Sequence, residues 1–293
     1  MLDYILVLFA VVLLALGFII QKIYQRGLQS TTEGSVLFSI VSALCSIVLL
    51  ILLNGFSFDF SWYSAMNSLL RALCGLLYTI LGFGIMKEGK VAFYMLFLMS
   101  GGMLVPCVWG WLFLDEAVKL PHVIGVAVIV LSIVLSNSGT QRPTRKILLQ
   151  CSAVFFLNGF VSVLSKLHQV NTTHDTVGTT EYAMLGTVAS LLMSSAFFAA
   201  LQIKNKSSGG FKQYFKLRSL LLIPLYSVIG TVSSLLQLEG AKNLPASVLY
   251  PMITGGSIIL TGLFALLFFG EKLSKRGWAG IILCLGGTCL FLF

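Results

Sequence analysis

Ten mostly apolar runs, each of 17 to 24 residues, follow one another along the chain with short polar segments between them. They cover residues 4–23, 34–53, 62–85, 91–113, 121–137, 147–167, 180–202, 219–238, 246–269 and 277–293. A helix needs about 20 apolar residues to cross a bilayer, and in lipid each backbone polar group must be bonded inside its own segment. The pattern therefore predicts an all-α integral membrane protein with ten transmembrane helices.

The composition supports the same class and leaves little of the sequence outside the membrane. Of the 293 residues, 57% are hydrophobic and 10% are charged, whereas a soluble domain has about 25% charged residues. The longest polar connections, 168–179 and 203–218, are too short to form a soluble domain. An enzyme domain inserted between these spans is therefore excluded.

The basic residues alternate from one side of the predicted membrane to the other. Fifteen of the 19 Lys and Arg residues lie at the ends of spans 1, 3, 5, 7 and 9 or in the segments that follow them. Basic loops stay in the cytoplasm, so the pattern predicts that both termini lie outside a plasma or inner membrane. This distribution also accounts for the net charge of +9 without a nucleic-acid partner.

Short matches recur, in the same order, between the first five spans and the last five. QKIYQ (21–25) resembles SKLHQ (165–169), MKEGK (86–90) resembles QLEGAK (237–242), SGG (100–102) resembles TGG (254–256), and LFLDEAV (112–118) resembles LFFGEKL (267–273). Because five is an odd number of spans, the second copy enters the membrane inverted. The matches predict two inverted five-helix repeats, residues 1–139 and 140–293.

Several of these residues also carry a family likeness. Lys22 near the end of span 1, AKNLPAS (241–247), Pro251 in span 9 and FFGEKLSKRGWAG (268–280) resemble the ten-helix EamA-type branch of the drug/metabolite transporter superfamily. The first half departs from the pattern, because Asp115-Glu116 stands where the family has Gly-Glu. Pro106 also lies later in its span than Pro251 does.

The resemblance implies transport of a small metabolite by alternating access through a central cavity between the two repeats. It implies that spans 5 and 10 are peripheral. Members of the family are generally described with cytoplasmic termini, whereas the charge distribution in this chain predicts the reverse.

Arg71 is the ionisable residue that lies most clearly inside a predicted span, where a charge is costly and its presence needs a reason. Asn67, Arg71, Cys74 and Tyr78 have the spacing of one helix face. The functional interpretation is that Arg71 offers a cationic fork to a carboxylate-bearing substrate. Two alternatives stay open: that span 3 begins later and Arg71 reaches the membrane surface, or that Arg71 binds carbonyls at a helix end.

Further substrate-binding candidates are polar residues of the other spans. They are Asn158, Tyr226, Ser233, Gln237, Tyr94 and Tyr250, which join Asn67, Arg71 and Tyr78. Tyr94 and Tyr250 open their spans, where an interfacial aromatic belt is the competing interpretation. Lys22 and Lys166, at matched ends of spans 1 and 6, either attract an anion or extend toward the membrane surface.

The acidic residues indicate which chemistry to discount. All ten lie at span ends or in loops, whereas the small multidrug resistance relatives exchange protons for cations at a Glu deep in span 1. Asp115 and Glu116 are interpreted as the turn between spans 4 and 5. His168, His174 and Asp175 are interpreted as a solvated turn rather than a metal site, and no metal or cofactor is predicted.

These observations favour a secondary transporter for a small organic metabolite, amino-acid-like or carboxylate-bearing, with the lipid bilayer as its surroundings. A homodimer is an open alternative for its assembly. A non-transporting membrane sensor or scaffold with a degenerate transporter fold is the first rival. An intramembrane lipid-modifying enzyme is the second, and it lacks a catalytic acid, His or metal cluster at one interface.

Overall fold

A computed structural model describes residues 2–27, 32–87, 91–117, 119–136, 144–205, 217–269 and 275–292. Within these ranges the chain forms ten α-helices and a final 3-10 turn, Leu290–Leu292, and no strand. The helices are α1 (Leu2–Gly27), α2 (Thr32–Leu53), α3 (Trp62–Lys87), α4 (Val91–Phe113), α5 (Leu120–Ser136), α6 (Arg145–Val170), α7 (Thr179–Asn205), α8 (Leu217–Asn243), α9 (Ala246–Phe269) and α10 (Lys275–Cys289). The predicted all-α fold is confirmed.

Eight of the helices in the described ranges are long and apolar enough to cross a membrane. The two others are α5, with 17 residues, and α10, with 15. At about 1.5 Å per residue a 17-residue helix is about 25 Å long, somewhat less than the hydrocarbon core of a bilayer. Large apolar side chains such as Leu149, Ile203 and Leu221 are exposed on the outer surface, as expected for helices that face lipid. The fold is that of a multi-pass membrane protein.

The contacts between helices follow a repeating pattern. If α1 is matched with α6, α2 with α7, and so on to α5 with α10, the most extensive contacts have counterparts between the matched helices. The contact of α1 with α8 has its counterpart in that of α6 with α3, and the contact of α4 with α6 corresponds to that of α9 with α1. Helices α5 and α10 pack on each other and on α4 and α9. Such a pattern is what two related five-helix units produce. The boundary predicted between residues 139 and 140 lies outside the described residues.

The largest buried cluster joins helices from both ends of the chain. It includes Val7 and Val11 of α1, Met103 and Cys107 of α4, Ile129 of α5, Leu249 and Met252 of α9, Cys284 of α10 and Phe291. Small residues let neighbouring helices approach closely in membrane proteins. A Cβ atom added at Gly101 of α4 would lie 2.7 Å from the Cα of Phe155 on α6. The backbones of α4 and α6 are therefore in direct contact.

The turn after α4 contains a residue in the left-handed region. Asp115 has a φ of 52°, a conformation that costs most side chains about 1–2 kcal/mol but that Gly, Asn and Asp adopt more readily. Asp at this position therefore fits the backbone of the turn better than a β-branched residue would. The matching Gly270 and Glu271 lie outside the described residues.

Replacing Asp115 should therefore show which side chains the turn accepts. We expect Asp115→Gly to change the free energy of unfolding by no more than about 1 kcal/mol, and Asp115→Val to lower it by about 1–2 kcal/mol. Thermal unfolding of both variants in detergent checks this. A Val variant as stable as the unmodified protein would show that the left-handed conformation is not needed.

Candidate functional site

Tyr182 of α7 contacts the predicted functional face of α3. Its hydroxyl donates a hydrogen bond to Oδ1 of Asn67 at 2.7 Å. The Cζ atom of Arg71 lies 5.5 Å from the centroid of the same ring, within the range of a cation–π interaction. Asn67 is only 6% exposed and Tyr182 is fully buried. One tyrosine of the second half therefore holds both polar residues of α3.

The guanidinium group of Arg71 lies between α3 and α7, away from the ends of α3. Because α3 begins at Trp62, Arg71 is nine residues along it, about 13 Å from the end of the helix. A Cβ atom added at Gly186, one turn beyond Tyr182, would lie 3.8 Å from the guanidinium carbon. The small residue thus leaves room for the cation beside α7.

Arg71 has neutral polar neighbours in the described part of the chain. Among the described residues, no carboxylate forms an ion pair with it. The hydroxyl groups of Tyr78 and Tyr250 are close enough to interact with it electrostatically. A half-buried cation with neutral hydroxyl neighbours is suited to an anionic group that arrives with a substrate.

A stack of rings extends from Tyr182 to the connection between α6 and α7. The His168 ring stacks on Tyr182 with a centroid distance of 3.7 Å and lies parallel to the ring of Tyr63 at 6.2 Å. The ring of His174 stacks on Tyr63 at 4.8 Å. The stack thus joins α3, α6 and α7 near Arg71.

The interpretation of His168 as part of a solvated turn is wrong. His168 belongs to α6, is 2% exposed, and its Nε2 lies 2.8 Å from the hydroxyl oxygen of Ser64. That oxygen also accepts a hydrogen bond from the backbone N–H of Val177. His174 and Asp175 are exposed, as the solvated-turn interpretation expects. Among the described residues, no three His, Cys, Asp or Glu side chains are placed to hold a metal ion.

The hydroxyl group of Tyr182 should contribute measurably to stability. Tyr182→Phe keeps the ring beside Arg71 but leaves the buried oxygen of Asn67 without its donor, which should lower the free energy of unfolding by about 1–2 kcal/mol. Unfolding in detergent measures the loss, and Tyr4→Phe on α1 is the matched control. Equal stability of the two variants would contradict the role of this hydrogen bond.

Asn158, Ser233 and Gln237 are all engaged with other groups of the protein. Asn158 donates through Nδ2 to the carbonyl of Leu98 at 2.7 Å. Ser233 donates to the carbonyl of Ala10 at 2.7 Å, and Gln237 donates to the hydroxyl oxygen of Ser233 at 3.0 Å. The structure does not bring these three side chains to Arg71. Their polar atoms satisfy one another and the backbone inside the membrane, where water is absent.

The four tyrosine candidates lie inside the helix bundle. Tyr250 donates to the carbonyl of Ser162 at 2.6 Å, and the ring of Tyr94 packs directly on Gly82. Both are 8% exposed, so the aromatic-belt alternative is wrong for them. Tyr78 packs on the buried cluster around Tyr94. The ring of Tyr226 lies 4.8 Å from that of Phe38 on α2.

Lys166 and Glu116 meet where the ends of several helices come together. Lys166 is 5% exposed, so the alternative in which it extends to the membrane surface is wrong. Its Nζ lies 3.7 Å from Oε1 of Glu116. Lys22 is partly buried near the end of α1. The sequence placed Glu116 in a turn, and its contacts with the second half were not expected.

Comparisons with known proteins agree with this architecture. A model of the EamA-like transporter family matches residues 145–293. The spermidine export protein MdtI of Yersinia pseudotuberculosis serotype I (strain IP32953) is 32% identical over 103 residues, which cover 35% of this chain and 89% of that protein. MdtI of Yersinia enterocolitica serotype O:8 / biotype 1B (strain NCTC 13174 / 8081) is 31% identical over 103 residues, with the same coverage.

A solved structure described as "Crystal structure of protein" shares the fold. It superposes with a TM-score of 0.73 at 14% sequence identity, covering 98% of this chain and 95% of that one. The likeness therefore extends over all ten helices.

Proposed function

Because this chain belongs to the EamA-like transporter family, we propose that it is a secondary transporter for a small, carboxylate-bearing solute, with amino-acid-like metabolites favoured. The resemblance seen in the sequence is thereby confirmed, and the family consists of membrane transporters rather than enzymes. The solute crosses by alternating access through a cavity between the two five-helix halves. The membrane is a plasma or inner membrane, and the distribution of basic residues supports termini outside it.

The observation that carries the proposal is the environment of Arg71. Its guanidinium lies inside the bundle, beside Tyr182, and has no ion-pair partner among the described carboxylates. An unpaired cation at this depth is expensive unless a mobile anion pairs with it during the functional cycle. A planar guanidinium binds a carboxylate through two parallel hydrogen bonds, which gives both affinity and orientation.

The neighbours of Arg71 support its role as a fixed anchor. The ring of Tyr182 supports one side of the guanidinium, and Asn67 fixes the hydroxyl group of that tyrosine. A cation held by a packed aromatic ring loses little conformational freedom when the substrate binds. The remainder of a small solute would extend toward Tyr78 and Tyr250, whose hydroxyl groups interact electrostatically with Arg71.

Export of a polyamine is the second candidate, because the MdtI relatives are named for spermidine export. Spermidine is a polycation, and Arg71 would repel it. Three of the described glutamates are already engaged, since Glu181 accepts from Asn54, Glu239 pairs with Lys242 and the buried Glu116 pairs with Lys166. The charges near the proposed site therefore favour an anionic group over a cationic one.

Uptake into liposomes that contain the purified protein separates these candidates. Pairs of solutes that differ only in the acid group, such as an amino acid and its amide, are compared with spermidine. We expect saturable uptake of at least one carboxylate-bearing solute and no uptake of its amide. Uptake of spermidine alone would establish the polyamine alternative, and absence of any flux by correctly folded protein would favour a sensor or scaffold.

A further inference from the structure

The ammonium group of Lys166 lies in a cage of oxygen atoms at the end of α8. Its Nζ donates to the carbonyl oxygen of Ala241 at 2.9 Å and to that of Leu244 at 2.7 Å. The carboxylate of Glu116 completes the cage at 3.7 Å. The last carbonyls of a helix have no partner within it and carry its negative dipole end. All three oxygen atoms therefore favour a positive charge at this point.

Glu116, from the first half of the sequence, also binds the start of α9 in the second half. Its Oε1 accepts a hydrogen bond from the backbone N–H of Ala246 at 2.7 Å, and its Oε2 accepts from that of Ser247 at 3.3 Å. These N–H groups are at the start of α9, where the helix offers them no partner. A Cβ atom added at Gly110 would lie 2.5 Å from the carboxylate. The absence of a side chain at Gly110 thus makes room for Glu116.

Carbonyls at a helix end together with a carboxylate form the kind of ligand set that binds coupling cations in transporters. Here a lysine side chain supplies the positive charge. We infer that this cage is a site for a small monovalent cation, and that the ammonium group of Lys166 occupies it. This tethered cation holds closed the face of the transporter where α8 ends and α9 begins. The inference rests on the proposed function in one respect, the need for this face to open during transport.

The arrangement has two consequences for the transport cycle. Opening this face separates the carboxylate of Glu116 from α9 and removes the Lys166 ammonium from its carbonyl oxygens, so both contacts must break together. The closed state needs no sodium or potassium ion at this point, because the cation is part of the chain. The cage becomes available to a free cation only when the lysine side chain is removed.

Removing the tethered cation tests the site directly. Lys166→Ala and the unmodified protein are unfolded by heat in detergent in sodium, potassium, ammonium or choline chloride at equal ionic strength. We expect one of the three small cations, sodium, potassium or ammonium, to raise the unfolding temperature of the variant by about 3 to 5 °C. This applies when that cation is present at about ten times its dissociation constant for the cage. The unmodified protein should unfold at the same temperature in all four salts. A variant equally stable in all four salts would overturn the cation site.

A second variant tests the proposed latch, the contacts of Lys166 and Glu116 that hold this face closed, while it keeps the Lys166 side chain. It also serves should Lys166→Ala fail to fold. Glu116→Gln keeps the shape of the side chain but removes its charge. Cys107 reports on opening, because it is fully buried and its Sγ lies 3.6 Å from the carbonyl oxygen of Ala246. The reporter protein retains Cys107 after replacement of Cys45, Cys74, Cys151, Cys284 and Cys289.

In this reporter, we expect Glu116→Gln to raise the rate at which a membrane-impermeant maleimide labels Cys107 by about tenfold, since hydrogen bonds to a charged group are stronger by about 1.4 kcal/mol. Asp115→Asn, a neutralisation at the exposed neighbouring position, is the matched control and should leave the rate unchanged. Equal rates in the two variants would overturn the latch. Neither readout uses a substrate, so failure here is distinguishable from failure of the carboxylate proposal.

Discussion

Replacing Arg71 with Gln should lower the apparent affinity for a carboxylate-bearing substrate by about 10- to 100-fold. Hydrogen bonds to a charged group contribute about 1.5–3 kcal/mol, and each 1.4 kcal/mol corresponds to a factor of ten. Gln retains a polar side chain beside Tyr182 but has neither the charge nor the two parallel donors. The half-saturating concentration for uptake into liposomes measures the change.

Two companion variants separate the charge of Arg71 from its shape. Arg71→Lys keeps the positive charge but loses the planar fork and much of the stacking on Tyr182, so we expect an intermediate loss of affinity. Lys119→Gln removes an exposed cation directly before α5 and is the matched control for net charge. If Arg71→Gln and Lys119→Gln lower the apparent affinity equally, the effect arises from long-range electrostatics and not from direct contact with the substrate. An unchanged affinity in Arg71→Gln would refute the proposed role.

Gly101→Ala should lower the free energy of unfolding by about 3 kcal/mol, the largest expected effect of a single methyl group on this fold. The added carbon would lie 2.7 Å from both the Cα and the carbonyl carbon of Phe155, and closer still to its carbonyl oxygen. These are backbone atoms of α6, which cannot rotate away as a side chain can. Relief of the clash requires α4 and α6 to separate along their contact.

The matched control is Gly84→Ala on α3, where an added Cβ meets no atom within 4 Å. This change should stay within about 1 kcal/mol, the difference in helix propensity between Gly and Ala. Thermal unfolding in one detergent, followed by the loss of monodisperse protein, compares the two variants. If Gly101→Ala is as stable as Gly84→Ala, the helices are not in backbone contact.

The positions of the helices could be predicted closely because one physical requirement dominates them. A segment in lipid must satisfy its own backbone groups, so an apolar run of sufficient length is a helix. The run 91–113 and the helix Val91–Phe113 coincide, and Trp62 begins α3 as predicted. The helix ends in polar regions are set by local capping, as at Thr144, whose hydroxyl group accepts from Ile147. The hydropathy of a segment does not reveal such hydrogen bonds.

The candidate site could be predicted only in part. Arg71 was identifiable because a charge within a span is costly wherever it points. Tyr182 was not, since a tyrosine three residues into α7 looks like any aromatic residue at a membrane surface. Its partner Asn67 is 115 residues away in the sequence, and nothing local links the two. The polar residues around His168 in the sequence likewise concealed its burial.

The polar residues of the spans show a different limit. That Asn158, Ser233 and Tyr250 need hydrogen-bond partners follows from their place in lipid. Whether a partner is a substrate or a backbone carbonyl depends on which helices are neighbours. The carbonyls they bind belong to Leu98, Ala10 and Ser162, each on another helix. Helix pairing is a property of the folded bundle and is not encoded in the periodicity of one segment.

The close contact between Gly101 of α4 and the backbone of α6 favours movement of these two helices as one unit. A similar fit joins α9 to α1, where a Cβ atom added at Gly256 would lie 2.8 Å from Val11. Each contact links helices from different repeats and resists sliding. In the proposed transport cycle, the units expected to move together are therefore composites, one containing α4 with α6 and the other α1 with α9. We therefore expect the hinges of that cycle to lie within each predicted five-helix repeat rather than between the two.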